Sequence, residues 1–486
     1  MKKNVLVLDN KYKKTFEAQN FEIMTSMDYI LDSSFDKNQT VYNLSSSFGY
    51  QDIGYYVSLL AMARGDKIYP SPKTIQDLKD RSIQKLYSDE LFQIFQSKLK
   101  KLSGKTFEIS VYFGKNLTAQ YDTISWELFR IIQAPLFRAH FEKFDNWELT
   151  KLKLLTIEDL NEVHLEFLKN RIKEYFGQSK SIRKTKDTHR YDLAILYNED
   201  EPAGPSDKKA LKNFVEAARE LDFRADLIQY KDKPNIYEYD ALFIRETTNV
   251  SHHTYRLARR AEKDGLVVID DPDSIVKCTN KIFLEQLMSK LKINRPKSFI
   301  FNRELMQKNL ANITYPCIIK SPDSAFSQGV FKAKTKEEFL HITKKMFEET
   351  DLILIQEFLP TDFDWRIGVL NNEVIYACKY YMAEGHWQII QNQENKDPNY
   401  GNFESIDPSK VDDKVLKMAL KSTKYIGNGL YGVDLKQKDK DVYMIEVNDN
   451  PSIDAGVEDD FLGDELYLKI MRHFLAECNK RRKPHE

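Results

Sequence analysis

The spacing of apolar residues along this chain switches repeatedly between the two-residue period of a strand and the 3.6-residue period of a helix. Val5, Leu6, Val7 and Leu8 form a short apolar run that reads as a first strand. Residues 52–64 carry Ile53, Tyr56, Val57, Leu60 and Ala61 at helical spacing, with Gly65 placed to stop the helix. Residues 107–113 read as a strand, and 158–176 as a helix with Leu160, Val163, Leu165, Leu168, Ile172 and Phe176 inward. After residue 190 the rhythm tightens. Strand 192–197, helix 207–221, strands 224–228 and 239–244, helix 251–263 and strand 266–269 follow in turn. That alternation predicts a parallel sheet covered by helices, with ligands at its strand ends. From residue 297 the pattern is mixed: short buried strands at 317–320 and 352–356, a hairpin of 366–370 and 374–379 turning at Asn371-Asn372, and helices at 412–426 and 466–478. No internal repeat and no low-complexity tract is visible.

A second hairpin, near the C-terminus, carries the most chemistry. Residues 431–435 and 443–451 read as strands, with the turn placed at 436–440. Strand alternation puts Met444, Glu446 and Asn448 on one face and Tyr443, Ile445 and Val447 on the other, with Asp434 roughly opposite Glu446. Two carboxylates and an amide oxygen then converge, and hard oxygen donors of this kind suit Mg²⁺. A solvated acidic face on an amphipathic hairpin is the plain alternative.

Upstream residues add the other parts of a triphosphate site. Lys320 ends a buried strand and precedes a Ser/Gly loop, 321–330, that includes Ser327 and Gly329. Its ammonium and the loop's N–H groups suit phosphates, although an ordinary surface loop has the same composition. Lys281 sits in the first turn of a helix whose apolar face is Ile282, Leu284, Leu287, Met288 and Leu291. A cation there opposes the helix dipole, which points to an anion nearby or to simple solvation. Gln356, Glu357 and Phe358 follow an apolar strand whose backbone could read an adenine edge, with Phe358 and Met444 closing a slot; a plain strand end is the alternative. Asp364 and Arg366 lie two residues apart on one strand face, placed for a ribose hydroxyl and a phosphate oxygen, or for a salt bridge with each other.

Composition narrows the classes. The 486 residues suffice for roughly three domains. Lys plus Arg total 73 against 74 for Asp plus Glu, so no net charge points to nucleic acid or a membrane surface. The opening apolar run is too short for a signal peptide, and no run reaches membrane-spanning length. Cys278, Cys317, Cys378 and Cys478 are widely spaced, as expected of buried thiols in a cytoplasmic protein. His140 and His164 are isolated and read as structural. The stretch 177–190 holds five Lys or Arg against one Asp and reads as a basic linker.

Taken in order, Lys281, Lys320 with its Ser/Gly loop, Gln356-Glu-Phe-Leu, Asp364-x-Arg366, Gly432-Val-Asp434, Glu446-Val-Asn448 and Asn450-Pro451 resemble the ATP-grasp superfamily, and among it the RimK-like carboxylate–amine ligases. The similarity runs from about residue 191 to 479. Residues 42–65 resemble the RimK-like ATP-grasp N-terminal (RLAN) domain. The resemblance implies an α/β and α+β multidomain chain: an α/β RLAN-like domain at 1–176, the linker 177–190, a pre-ATP-grasp βαβ domain at 191–295, a two-part ATP-grasp domain at 296–480 and a polar tail at 481–486. It implies that ATP phosphates are bound by Lys281 and Lys320, with Ser327 and Gly329 in the loop. Gln356, Glu357, Phe358 and Met444 would serve the adenine, and Asp364 the ribose. Asp434, Glu446 and Asn448 would hold Mg²⁺, with Mn²⁺ as the alternative metal, while Arg366 and Asn450 would line the acyl-phosphate region. The family's active-site Arg and Asn are replaced here by Gln388 and Ile390. A neutral amide does not replace a guanidinium at an oxyanion, so Lys379 or His386 is the stand-in cation.

The implied reaction joins a carboxylate to an amine through an acyl phosphate, releasing ADP and phosphate. The acid could be an amino acid, a metabolite, or the C-terminus of a peptide or protein. Homo-oligomerisation is left open, and no nucleic-acid or membrane partner is expected. A phosphotransferase on the same fold and an inactive nucleotide-binding module are the competing readings.

Overall fold

The computed structural model describes residues 3–16, 21–32, 39–80, 84, 87–88, 91–178, 189–202, 204–232, 234–323, 329–383, 387–391 and 399–482. Most of the basic linker, Ser327 and His386 fall outside the described residues. Contacts divide the chain into two units, Met1–Arg190 with Arg481–Glu486, and Tyr191–Lys480. Among the described residues no helix is long and apolar enough to cross a membrane.

The first unit begins with a parallel sheet of β1 (Lys3–Leu8), β2 (Glu22–Thr25), β3 (Gln39–Asn43) and β4 (Lys67–Tyr69), in the order β2-β1-β3-β4. Helix α1 (Ile53–Ala63) crosses from β3 to β4, and α2 (Pro72–Asp77) follows. An antiparallel sheet of β5 (Thr106–Tyr112), β6 (Leu136–Lys143) and β7 (Trp147–Leu154) comes next, and α3 (Glu162–Gln178) closes the unit. Leu168, Ile172 and Phe176 of α3 are buried as their spacing predicts. Val163 is not: it is 65 % exposed, because the helix starts at Glu162, after a separate 3-10 turn at Ile157–Asp159 capped by Thr156.

The second unit opens with β8 (Tyr191–Tyr197), α4 (Lys208–Glu220), β9 (Phe223–Ile228), β10 (Ala241–Arg245), α5 (His253–Lys263) and β11 (Val267–Ile269). The four strands are parallel in the order β11-β10-β8-β9. Helices α6 (Pro272–Thr279) and α7 (Lys281–Lys290) lead to a sheet of β12 (Ser298–Phe301), β13 (Cys317–Lys320), β14 (Val330–Ala333) and β15 (Ile353–Glu357). A five-stranded antiparallel sheet then forms from β16 (Phe363–Leu370), β17 (Glu373–Tyr381), β18 (Phe403–Ile406), β19 (Leu430–Lys438) and β20 (Asp441–Asp449), in the order β18-β17-β16-β19-β20. Helix α8 (Asp413–Thr423) covers the face of this sheet that carries Ile367, Val433 and Val447. The last helix, α9 (Asp464–Arg482), returns to the parallel sheet. Its Tyr467 and Phe474 rings meet Phe214 and Phe243 at 4.7 and 5.4 Å. The expected pieces 191–295 and 296–480 therefore share one hydrophobic core. All four cysteines are free and buried.

The structure corrects the expectation of no internal repeat. The parallel sheets of the two units share one strand order, second-first-third-fourth along the chain. Helices α1 and α5 occupy equivalent positions and end identically. Gly65 and Gly265 take φ of +73° and +83°, and the following N–H groups of Asp66 and Leu266 bond the carbonyls of Ala61 and Ala261 at 2.9 and 3.0 Å. This is the left-handed helix stop for which glycine is suited. Each sheet's last strand then leads into a helix with proline in its first turn. Ser71 and Asp271 cap those helices by accepting from Thr74 N and Ser274 N, both at 3.0 Å. The sequence hides the likeness because few positions agree, and even buried ones differ, as Gly54 and Thr254 do. α1 exposes Ile53, Tyr56 and Met62, whereas α5 presents Arg256, Arg259, Arg260 and Lys263.

Arg245 ties the second unit together. It is 1 % exposed, and its guanidinium donates to Ser206 Oγ at 3.0 Å, Asn450 Oδ1 at 2.8 Å, Pro451 O at 2.8 Å and also Pro205 O. The parallel sheet is thus fastened to the end of β20 by one buried fork. Replacing Arg245 by methionine should destabilise the protein by roughly 3–5 kcal/mol, because acceptors and the buried Asp270 lose their cation. Urea unfolding measures this; a loss under about 1 kcal/mol would mean that the fork contributes little.

Candidate active site

The site is assembled by cross-strand register on the five-stranded sheet. Asp434 pairs with Glu446 on one side and with Arg366 on the other, while Gly432 pairs with Asn448. The turn is tighter than 436–440: β19 runs to Lys438, and Asp439 takes φ of +55°. Arg366 grips Asp434 with two hydrogen bonds, Nη2 to Oδ2 at 3.0 Å and Nε to Oδ1. Asn448 Nδ2 donates to Asp434 Oδ2 at 3.0 Å. Lys281 Nζ lies 2.9 Å from Glu446 Oε1. Gly432 has a steric reason to be glycine: a Cβ there would stand 3.0 Å from Arg366 Cδ and 2.8 Å from Pro451 Cβ.

The expected shared face of Met444, Glu446 and Asn448 is corrected. A bulge sets Asp434 opposite Glu446 but Leu435 opposite Met444, leaving Ile445 as the extra residue. Alternation reverses there, so Met444 enters the core with Leu435 and Val447. Glu446 and Asn448 stay on the site face.

Lys379 is corrected for a similar reason. It pairs with Trp365, on the sheet face opposite Arg366. Its Nζ lies 5.1 and 5.3 Å from the Phe363 and Trp365 ring centroids and 3.3 Å from Glu404. Asn450 is also reassigned. Its side chain is committed to Arg245 and to Glu246 O, at 2.8 and 2.7 Å, and is buried. Asp364 and Arg366 do not pair with each other: Asp364 accepts from Lys436 and Thr361 at 2.5 and 3.1 Å.

Lys320 is buried at the end of β13. With Lys281, Leu354, Gln356, Met444, Ile445 and Glu446 it lines a cavity of about 20 Å³, closed by the Glu285–Arg295 pair at 2.7 Å. That volume holds a single water, so seating a purine requires the lining side chains to part. Phe358 does not line this cavity; it turns to Lys332, whose Nζ is 3.4 Å from its ring centroid. Glu357 is exposed and donates its N–H to Lys297 O at 2.8 Å. Gly329 takes φ of +72°, and its carbonyl accepts from Ser321 N at 2.8 Å, closing the base of the loop. The sequence reading missed Ile445, Lys436, Glu285 and Arg295; only the register and the cavity reveal them.

Electrostatically the site favours a polyanion. Lys281, Lys320, Arg366 and Lys436 face Asp364, Asp434 and Glu446. Burial draws the Lys320 ammonium below its ordinary value, with Lys281 and Lys436 adding to the effect. Burial raises the Asp434 carboxyl against the pull of Arg366. Burial would raise Glu446 too, but Lys281 and Lys320 overcome it and hold that carboxyl below its usual range. Two carboxylates and a carboxamide from adjacent strands fit a hard divalent cation, and surplus positive charge fits phosphates.

Two family models match the chain. The RimK-like ATP-grasp N-terminal domain matches residues 26–171, and the RimK-like ATP-grasp domain residues 278–472. The chain belongs to the RimK-like ATP-grasp family. Among its curated relatives, the alpha-aminoadipate–LysW ligase LysX of Saccharolobus solfataricus is 27% identical over 256 residues, 49% of this chain and 88% of that protein. A probable alpha-L-glutamate ligase of Vibrio vulnificus is 26% identical over 235 residues, 48% of this chain and 74% of that protein. The VanG D-Ala:D-Ser ligase of Enterococcus faecalis superposes with a TM-score of 0.46 and 16% identity, over 58% of this chain and 99% of that one. The chain is accordingly an enzyme of the ATP-grasp ligase class, forming C–N bonds between a carboxylate and an amine.

The loop that follows β20 supplies a pH-sensitive support. Glu458 is 1 % exposed and accepts from Asp454 N at 2.8 Å and from Tyr380 Oη. Burial pushes its carboxyl up to about 7 from an ordinary 4.5. A raised acid favours the folded state most below its unfolded pKa, and that contribution disappears as pH rises through about 7. Glu458→Gln should remove a loss of about 3 kcal/mol between pH 5 and pH 8. Unfolding curves of the two proteins at both pH values check this; parallel pH dependence would clear Glu458 of the role.

Proposed function

We propose that this ligase couples an amino acid, through its amine, to the carboxylate of a small acid or peptide, using ATP on the Glu446–Asp434–Arg366 face. The cross-strand row of those three side chains, flanked by Asn448, Lys281 and Lys320, is the observation that carries the reading.

A carboxylate is a poor acyl donor because its leaving group is oxide. In the first step its oxygen attacks the γ-phosphorus of ATP, the bond to the β-phosphate oxygen breaks, and ADP leaves. In the second step the amine nitrogen attacks the acyl carbon, the bond to the phosphate oxygen breaks, phosphate leaves, and the nitrogen gives up a proton. Phosphoryl transfer depends on positioning and charge neutralisation, which is why the residues gathered here are cations and carboxylates. Lys281 and Lys320 bind phosphate oxygens. Asp434, Glu446 and Asn448 would hold magnesium, which when bound neutralises charge on the phosphates. Arg366 takes the place of the cation lost at Gln388: it lies on the site face and is oriented by Asp434, which takes Nε and Nη2 and leaves Nη1 to meet an oxyanion. Asp364, fixed by Lys436 and Thr361, offers a carboxylate to the ribose.

Amine-dependent ADP release with an amide product, followed by mass spectrometry across pairs of amino acids, acids and peptides, tests the class. A stable phosphorylated product without amine consumption would mark a phosphotransferase instead. Glu446→Ala should lower turnover by at least ~10³-fold with the circular dichroism unchanged; a near-normal rate would remove the metal assignment. Lys320→Ala should weaken a non-hydrolysable ATP analogue by about tenfold or more in calorimetry, the loss expected for a charge-assisted contact. Unchanged affinity would place the phosphates elsewhere.

A further inference from the structure

A second group of metal-capable side chains lies at the carboxyl end of β10. Glu246 follows that strand directly and is 2 % exposed. His252 caps helix α5, and His253 is its first residue. One ligand atom from each of Glu246, His252 and His253 lies within 4.8 Å of the others. His253 Nε2 is 2.9 Å from Glu246 Oε1, and the two imidazole centroids are 3.8 Å apart. Tyr230 stacks on His253 at 4.0 Å and 12°, fixing its plane. Thr254 Oγ1 lies 3.2 Å from His252 Nδ1, the kind of outer hydrogen bond that orients a ligating imidazole. Asn198 Nδ2 donates to Glu246 Oε1 at 3.4 Å, while Oε2 of this buried carboxylate has no hydrogen-bond partner.

We propose that Glu246, His252 and His253 bind a divalent transition-metal ion of the zinc class. Two imidazoles and a carboxylate are the donor set of such ions, whereas Mg²⁺ prefers oxygen alone. Three protein ligands leave a further position for water or an anionic oxygen. The place is apt, since ligands in open α/β sheets gather outside the carboxyl ends of the strands. The site is also coupled to the Arg245 fork, because Glu246 O accepts from Asn450 Nδ2 at 2.7 Å. The equivalent helix start in the first unit has Asp52 and Ile53, so the donor set belongs to the second copy alone. The competing account is a hydrogen-bonded Glu–His pair that takes no ion.

Zinc titration of the chelator-stripped full-length protein, read by competition with a chromophoric chelator, decides between them. One equivalent of Zn²⁺ should bind, and His252→Ala, His253→Ala and the near-isosteric Glu246→Gln should each weaken it by about tenfold or more. The urea midpoints of the variants establish that they are folded. Co²⁺ should give a spectrum without a thiolate charge-transfer band. Less than about a tenth of an equivalent of Zn²⁺ in the parent, unchanged affinity in all three folded variants, or a thiolate band pointing to cysteine would each overturn the proposal.

Discussion

Two single-residue bulges decide which side chains reach the candidate-site face of the five-stranded sheet. In β20 the extra residue is Ile445, and it carries Glu446 and Asn448 to the side of Asp434 while Met444 goes to the core. In the hairpin of β16 and β17 the register slips between Gly368 and Val369. An unbulged pairing through Asn371-Asn372 would set Lys379 opposite Asp364, on the site face. The slip sets it opposite Trp365 and brings Cys378 opposite Arg366. Because strand side chains alternate with period two, one inserted residue exchanges the faces of everything beyond it. The row from Glu446 through Asp434 to Arg366 therefore depends on backbone irregularity as much as on residue type.

The charges on that row are balanced locally and leave room for a polyanion. Asp434 and Glu446 are each held by a cation, Arg366 and Lys281, so neither carboxylate is buried alone. Lys320 lies near both Lys281 and Lys436 and is itself desolvated, which lowers the cost of giving it a phosphate partner. The same ion pairs keep the cavity small. On the proposed placement of the nucleotide, entry would separate Lys281 from Glu446 and move side chains around Met444 and Ile445, so binding and rearrangement of the cations would be coupled.

Much of this was legible in the sequence. The strand–helix alternation after residue 190 and the opposition of Asp434 to Glu446 follow from periodicity and a short turn. The bulges were not legible, since Ile445 and the Gly368–Val369 step look like any alternating strand. Nor was the Arg245 fork, whose acceptors at Pro205, Asn450 and Pro451 lie far apart along the chain. A buried guanidinium with carbonyl partners leaves no local pattern. The surroundings of Phe358 were not legible either, because an aromatic residue after a strand suits a base slot and a cation–π contact equally well, and here Lys332 lies over its ring.

The repeated parallel sheet escaped for a more general reason. Its two copies agree at Ala61 and Ala261 in the helix, at Gly65 and Gly265 where the left-handed stop requires glycine, and at the prolines opening the next helix. At the ends of the third strands, the pairing of Tyr42 with Tyr69 and of Phe243 with Ile269 makes buried Leu44 the counterpart of Arg245. Asn43 is spent on its own unit, donating to Gly54 O at 2.7 Å and Ser58 Oγ at 3.0 Å, with Ser45 Oγ donating back to it. Arg245 instead reaches the strand that carries the acids. The same scaffold thus closes on itself in one copy and braces the candidate site in the other. The difference lies in strand-end residues, where open α/β sheets place their chemistry.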